Sequence, residues 1–472
     1  MISLELTSSS PLRSTGELVR WTIVTCFCML AVFTLTGLNH VQTTLDNTSH
    51  HYLQFVPQRS PIYWLGNTID DDKQQAMQQS ETSQPDDISI STQTSNHDDE
   101  VKSTTCLEHP PMTFNATGKR VSDPTVQVIE HSTPSICGEL RRNWHYNEPL
   151  SELAQQILRH QSNCTIPVAN NLLDNSFGLG SHIMLWSQSI CNAMEEGYRV
   201  RTTILNHNQQ PEEEELVWLW LDQYHCDITV AKTQSPLLCY FPQSEYHCNS
   251  NNNNENNIVV LHNISDARDK KKRCKLVRDN GEKLLQQFRA ASIEYLFHSI
   301  SSLIIEEAQR QIGIIFQSRY VPDDLICVHI RWGDKFFEMK LPIIQEYIDA
   351  VNLLTNNATT ANIYLATEDP KALQEFIQIA PRGWNVYHDV TLTELNAFRP
   401  VKGNRASYTT KNTKGRAGLV ALGSLLVGLE AKSFVLTTKS NWSALMNYLR
   451  TNIIDPRCGN CTRMIDLRPG IW

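Results

Sequence analysis

The densest run of groups able to do chemistry is His329-Ile330-Arg331-Trp332-Gly333-Asp334-Lys335, with Glu338 just after it. It follows the near-continuous apolar stretch Leu325 to Ile330, as buried parallel strands read. Alternation along a strand puts His329 and Arg331 on one face. Arginine carries a rigid fork of donors that matches phosphate oxygens. A charge at the end of a buried strand is costly unless it has a partner or a task there. A structural ion pair of Arg331 with Asp334 or Glu368 is the plainer alternative.

Two further strand tips carry polar groups. Lys439-Ser440-Asn441 precedes a helix at Trp442, and hydroxyl, amide and free backbone N–H groups at a helix start can bind phosphate. An ordinary N-cap reads the same way. Thr367-Glu368-Asp369-Pro370 places two carboxylates at a strand tip, where they could grip hydroxyls or an arginine, or simply cap the helix beside Pro370. Gly178-Leu179-Gly180-Ser181 before a helix is a weak phosphate-loop pattern, since two glycines often mark only a turn. Cys458-Gly459-Asn460-Cys461 lacks two further ligands for zinc and reads as a disulfide. Asp70-Asp71-Asp72 reads as a solvated acidic patch, and no Asp-x-Asp pair stands after a strand in the lobes, so no catalytic metal is expected. A Gly-x-Ser-x-Gly elbow is absent from the sequence, which weakens a hydrolase reading.

The elements that must hold these tips alternate between strand and helix. After Leu325 to Ile330 the pattern predicts a helix over Ile343 to Leu354, a strand over Asn362 to Ala366, a helix over Lys371 to Ile379 and a strand over Trp384 to His388. A helix over Gly418 to Ala431, a strand over Ser433 to Thr437 and a helix over Trp442 to Thr451 complete it. Such repetition predicts an α/β, doubly wound parallel sheet, whose ligands sit beyond the strand carboxyl ends, where the polar tips fall. The preceding part is less legible. A helix opens at Gly178 and runs through Met194, Arg199 to Ile204 reads as a strand, and Glu282 to Phe316 is a long amphipathic region of one or two helices. Asn249 to Asn257 and Lys270 to Arg273 read as surface loops.

Length and composition set the frame. The chain has 472 residues, 40% hydrophobic and 19% charged, with 41 basic against 50 acidic side chains and a net charge of −9. A chain of that sign is a poor general binder of nucleic acid. Trp21 to Leu38 is an uncharged stretch of 18 residues. At about 1.5 Å per residue it reaches roughly 27 Å, enough to cross a thin bilayer. Arg13 and Arg20 precede it and no lysine or arginine follows until Arg59, so the bulk of the chain is expected in the lumen. Seven Asn-x-Ser/Thr sequons, at Asn47, Asn115, Asn163, Asn263, Asn357, Asn441 and Asn460, agree with that side. Eleven of the 13 cysteines follow the span, and an oxidising lumen turns most into disulfides, with an odd one left over. The expected organisation is a cytoplasmic tail at 1–20, a signal anchor at 21–38, a flexible stem at 39–136 poor in apolar residues, an amino-terminal α/β lobe at 137–320 and a Rossmann-like lobe at 321–472.

Taken together, the segments Gly178 to Ser181, His329 to Lys335 with Glu338 to Leu341, Tyr364 to Pro370, and Leu429 to Ala431 through Ser440 to Trp442 resemble the family 23 glycosyltransferases, the alpha-1,6-fucosyltransferases. The resemblance extends over roughly Cys137 to Trp472 and is closer to fucosyltransferase-like members than to the animal core enzyme. It implies a two-lobed GT-B fold in a Golgi type II membrane protein that transfers fucose from GDP-fucose to a glycan or glycoprotein acceptor, with inversion and without a metal or other cofactor. By position, Arg331 would hold the donor diphosphate and His329 would lie near the nucleotide. Ser440 and Asn441 would cradle phosphate, and Gly178, Gly180, Thr367, Glu368 and Asp369 would line the donor site. Glu338 would be the base, its charge shaped by Lys335 and Asp334. In the family the base stands four residues after the motif lysine; here Glu338 is three after Lys335. The family's guanine-reading aspartate has no counterpart around Ser424 to Val427, and the terminal SH3-like domain of core fucosyltransferases is not expected.

Overall fold

The computed structural model describes residues 106–109, 112–113, 128–129, 136–144, 149–173, 177–204, 220–245, 263–264, 274–275, 282–317, 319–397, 409–410 and 412–470. The chain divides into two units, Met1–His97 and Asp98–Trp472. The first unit, with the expected tail and membrane span, lies outside the described residues, and so does most of the expected stem. Among the described residues, no helix is long and apolar enough to cross a membrane.

The second unit is α/β with parallel sheets. A short antiparallel ribbon, β1 (Met112–Thr113) with β2 (Val128–Ile129), comes first. Helix α1 (Glu152–Ser162) leads into β3 (Val168–Leu173), which pairs in parallel with β4 (Arg199–Ile204) across helix α2 (Leu179–Glu196). After α3 (Ile228–Thr233) come two helices, α4 (Glu282–Phe297) and α5 (Ser302–Ile315). The long amphipathic region is thus two helices, the second capped by the Ser301 hydroxyl on the Leu303 N–H at 3.2 Å.

The main sheet follows: β5 (Ile326–His329), α6 (Ile344–Thr355), β6 (Ala361–Ala366), α7 (Pro370–Ile379), β7 (Trp384–His388), α8 (Val390–Ala397), α9 (Arg416–Leu429), β8 (Ser433–Leu436), α10 (Asn441–Leu449) and, after a short helical turn, β9 (Arg463–Asp466). All neighbours are parallel, in the order β7-β6-β5-β8-β9. Both faces are covered, as an all-parallel sheet requires. Ile326 and Val328 face one apolar layer with Ile344, Tyr347, Ile348, Ala372 and Phe376 from α6 and α7. Cys327 faces the other, with Phe434, the buried leucines of α9 and α10, and the helices of the amino-terminal part. Each fully buried aliphatic side chain of this kind stabilises by about 1.5–3 kcal/mol relative to exposure, so the strand periodicity sets which face each helix must cover.

Covalent and polar ties fasten the edges. Disulfides join Cys106 to Cys137, Cys191 to Cys274, Cys226 to Cys239 and Cys458 to Cys461, and Cys164 is also disulfide-bonded. Cys327, buried in β5, is free, and burial pushes its thiol well above the usual range. Residues 106–109, inside the segment expected as stem, are held against the body by Cys106–Cys137 and by His109, whose Nε2 lies 2.6 Å from Glu307 Oε2. At the end of α9, Arg142 donates from Nε to the Leu429 carbonyl at 2.6 Å and from Nη2 to the Ala431 carbonyl at 3.1 Å, meeting the negative end of the helix.

Candidate functional site

The sheet winds to one side from β5 through β6 to β7, and to the other through β8 to β9. The reversal falls between β5 and β8. In open parallel sheets the crevice beyond the carboxyl ends at such a reversal is where ligands bind. The tips that meet there are His329 to Arg331 after β5 and Thr437 to Asn441 after β8.

Ser443, in the first turn of α10, joins these two tips. Its Oγ lies 2.6 Å from His329 Nδ1 and accepts the Thr437 N–H at 3.1 Å. The Tyr347 hydroxyl, from α6, lies 3.3 Å from Thr437 Oγ1 on the other side. His329 is buried, and that burial, with the Arg331 guanidinium nearby, pushes its imidazole down to about 4, Glu368 acting against both. His329 is therefore neutral at physiological pH. Arg331 is half-buried and donates from Nη1 to the Trp332 carbonyl at 2.9 Å.

A second contact brings the start of α2 to the start of α10. Asn441 Nδ2 donates to the Ser181 hydroxyl at 2.7 Å. A Cβ on Gly180 would stand 3.1 Å from Trp442 Cε3 and 3.2 Å from its backbone nitrogen, so the absence of a side chain lets the two helix starts touch. Neither start has a side-chain cap: the cap positions are Gly178, with open space where a Cβ would be, and Ser440, which is buried. Asn441 Oδ1 is buried and has no hydrogen-bond partner. Two helix N-termini without side-chain caps thus meet at the sheet reversal, and their partial positive charge favours an anion.

The remaining expected site residues separate into two groups. Thr367, Glu368 and Asp369 lie at the tip of β6, next to β5, where the Ile330 N–H donates to the Ala366 carbonyl at 3.0 Å. Asp369 caps α7: its Oδ1 accepts from the Lys371 and Ala372 N–H groups at 2.9 and 3.2 Å. Thr367 Oγ1 accepts from the Asp369 N–H at 3.2 Å. Asp334, Lys335 and Glu338 belong to the short helical turn Gly333–Phe337 and its end. There Lys335 Nζ donates to both oxygens of Glu338, at 2.6 and 2.8 Å.

In comparisons with known proteins, no family model matches the chain, and no curated protein matches it. The site is therefore defined by its own geometry. Ser443, which is not among the expected site residues, ties His329 to Thr437, and Ser181, the last residue of the expected Gly178 to Ser181 turn, ties the start of α2 to Asn441. One signal was present. Ser443 is the hydroxyl residue of the Asn441 sequon, and its spacing from Ser440 places it in the first turn of a helix that starts at Asn441. The sequons differ in access: Asn163, Asn263, Asn357 and Asn460 are exposed, whereas the Asn441 amide nitrogen is committed to Ser181.

Proposed function

We propose that this chain is a glycosyltransferase of the Golgi lumen that moves fucose from GDP-fucose to a glycan acceptor with inversion, using no cation at the diphosphate. The observation that carries this reading is the meeting of two uncapped helix starts, bridged by Asn441 and Ser181, at the reversal of a sheet whose strand β5 ends two residues before Arg331. Diphosphate is a leaving group that gains negative charge as the bond to the sugar breaks. Oriented N–H groups and a guanidinium stabilise that charge without having to reorganise, and one such donor is worth about 3–4 kcal/mol in the transition state. His329 is neutral, so it adds no positive charge of its own to that of Arg331 at this strand end. A carboxylate takes the proton of the acceptor hydroxyl as it attacks the anomeric carbon, and Glu338 is the candidate.

The test is a nucleotide screen. GDP is expected to raise the thermal midpoint of the purified protein more than UDP or CMP, because a ligand stabilises the state it binds. Arg331→Ala is expected to remain folded, lose the GDP response and release no GDP from GDP-fucose. A wild-type response to UDP alone, or full turnover by Arg331→Ala, refutes the assignment. One observation favours a second reading, a nucleotide-sugar or glycan binder on a transferase-like scaffold: both oxygens of Glu338 are engaged by Lys335. Calorimetry showing GDP binding, with no turnover over a broad acceptor panel, separates that reading from the first.

A further inference from the structure

Away from the sheet edge, a nitrogen of His109, an oxygen of Asp222 and a nitrogen of His225 lie within 4.8 Å of one another. His225 Nδ1 is 3.0 Å from Asp222 Oδ2, a few tenths of an ångström inside the roughly 3.3 Å between two atoms that share one tetrahedral ion at about 2.0–2.2 Å each. The two imidazole rings are perpendicular, with centres 5.2 Å apart. Two imidazoles on one tetrahedral zinc, each nitrogen at about 2.0–2.1 Å, have ring centres roughly 5 Å apart.

The surroundings are those of metal-binding histidines. Such a histidine offers one ring nitrogen to the ion and donates the other N–H to a carboxylate or a backbone carbonyl, which fixes its tautomer. His225 Nε2 lies 3.2 Å from the Glu108 carbonyl oxygen. His109 Nε2 lies 2.6 Å from Glu307 Oε2. Glu307 is itself anchored, accepting from Arg310 Nε and Nη2 at 2.8 and 2.7 Å and from Gln311 Nε2 at 2.7 Å. That leaves His109 Nδ1. The side chain is 2% exposed, and Nδ1 has no hydrogen-bond partner. With Nε2–H donated to the carboxylate, Nδ1 holds a lone pair in a dry place. An ordinary buried ion-pair network accounts for the other three nitrogens but not for this one.

We infer that His109, Asp222 and His225 form a zinc-type site, with a water at the fourth position. The ligand set is two imidazoles and one carboxylate, which suits a borderline ion and is too poor in oxygen for calcium or magnesium. The ion would clamp residues 106–109 to the segment 222–226, both already anchored by disulfides at Cys106 and Cys226. The inference stands apart from the transferase reading, since none of its ligands is among the residues of the sheet-edge crevice.

The experiment uses the full chain purified in chelator-free buffer. Elemental analysis is expected to find one zinc per chain. After stripping with a chelator, cobalt(II) is expected to restore one equivalent, with the visible absorption of a four- or five-coordinate N/O site and no thiolate charge-transfer band. His225→Ala is expected to abolish that spectrum. Glu307→Gln, which keeps the hydrogen-bonded shape, is expected to weaken cobalt binding roughly 10- to 100-fold. The wild-type cobalt titration does not depend on any variant folding. Absence of stoichiometric zinc and cobalt in the wild type, a thiolate band, or an unchanged spectrum in folded His225→Ala would each overturn the site.

Discussion

The neutral histidine at the sheet edge makes a quantitative demand on stability. His329 titrates near 6.5 in an unfolded chain and at about 4 in the folded one, chiefly because burial disfavours its charged form. Between those values the unfolded state binds the extra proton, so stability rises with pH there and is lost as pH falls from about 6.5 towards 4. Each tenfold in the proton equilibrium is worth about 1.4 kcal/mol, which gives about 3 kcal/mol over the whole window and about 2 kcal/mol between pH 7.5 and pH 5. Other groups titrate in the same range, so the contribution is read as a difference. His329→Asn places an amide near the position of Nδ1, where it can still meet Ser443 Oγ, and cannot be protonated. Urea unfolding of both proteins at the two pH values gives four free energies. The expected outcome is that the wild type loses about 2 kcal/mol more than the variant on going to pH 5. Equal losses would mean that His329 is not held neutral by its surroundings at the sheet edge.

Gly180→Val is expected to push on Trp442 and destabilise the protein by about 1–3 kcal/mol, with loss of the GDP-induced thermal shift; a variant with unchanged melting and unchanged response would show that the two helix starts need not touch. Mass spectrometry of the secretory-pathway protein is expected to find glycan at some or all of the exposed Asn163, Asn263, Asn357 and Asn460 and none at Asn441, whose side chain is bonded to Ser181; occupancy at Asn441 would contradict the observed contact.

Strands β5 to β8 were legible because a parallel sheet covered on both faces demands near-continuous apolar runs, and these run in short segments between amphipathic helices. Trp384–His388 and Arg199–Ile204 lie where the pattern puts them. Strand β9 escaped because Arg463–Asp466 is an edge strand with one apolar pair, and its pairing partner supplies what its composition lacks. Strand β3 escaped for a similar reason: Asn170 and Asn171 interrupt its apolar run, and buried Asn171 donates to Thr202 Oγ1 across the pair at 3.3 Å. In the site, strand tips could be read from residue order, since a chain leaving a parallel sheet places polar groups at its carboxyl edge. What joins one tip to another could not. The contacts of Ser443 with His329 and of Asn441 with Ser181 span 114 and 260 residues. No local periodicity encodes pairings at such separations.

The two sites are linked by shared supports. Trp220 Nε1 donates to the Phe177 carbonyl at 3.2 Å, and Phe177 adjoins Gly178 at the start of α2. On its other side the same segment lies against the start of α9. There Gly415 has φ of 80°, and a Cβ on it would stand 1.8 Å from the Leu221 carbonyl oxygen. No other residue tolerates both that backbone conformation and that approach. Asp222 follows directly. Residues 220–222 therefore brace one of the two helix starts proposed to hold the diphosphate, and they carry one of the three ligands proposed to hold the ion. An ion there would stiffen the brace without touching the nucleotide. Stripping the metal should then reduce the GDP-induced thermal shift, and restoring cobalt should recover it. An identical GDP response with and without the ion would separate the two sites and leave the metal as a clamp on residues 106–109 alone.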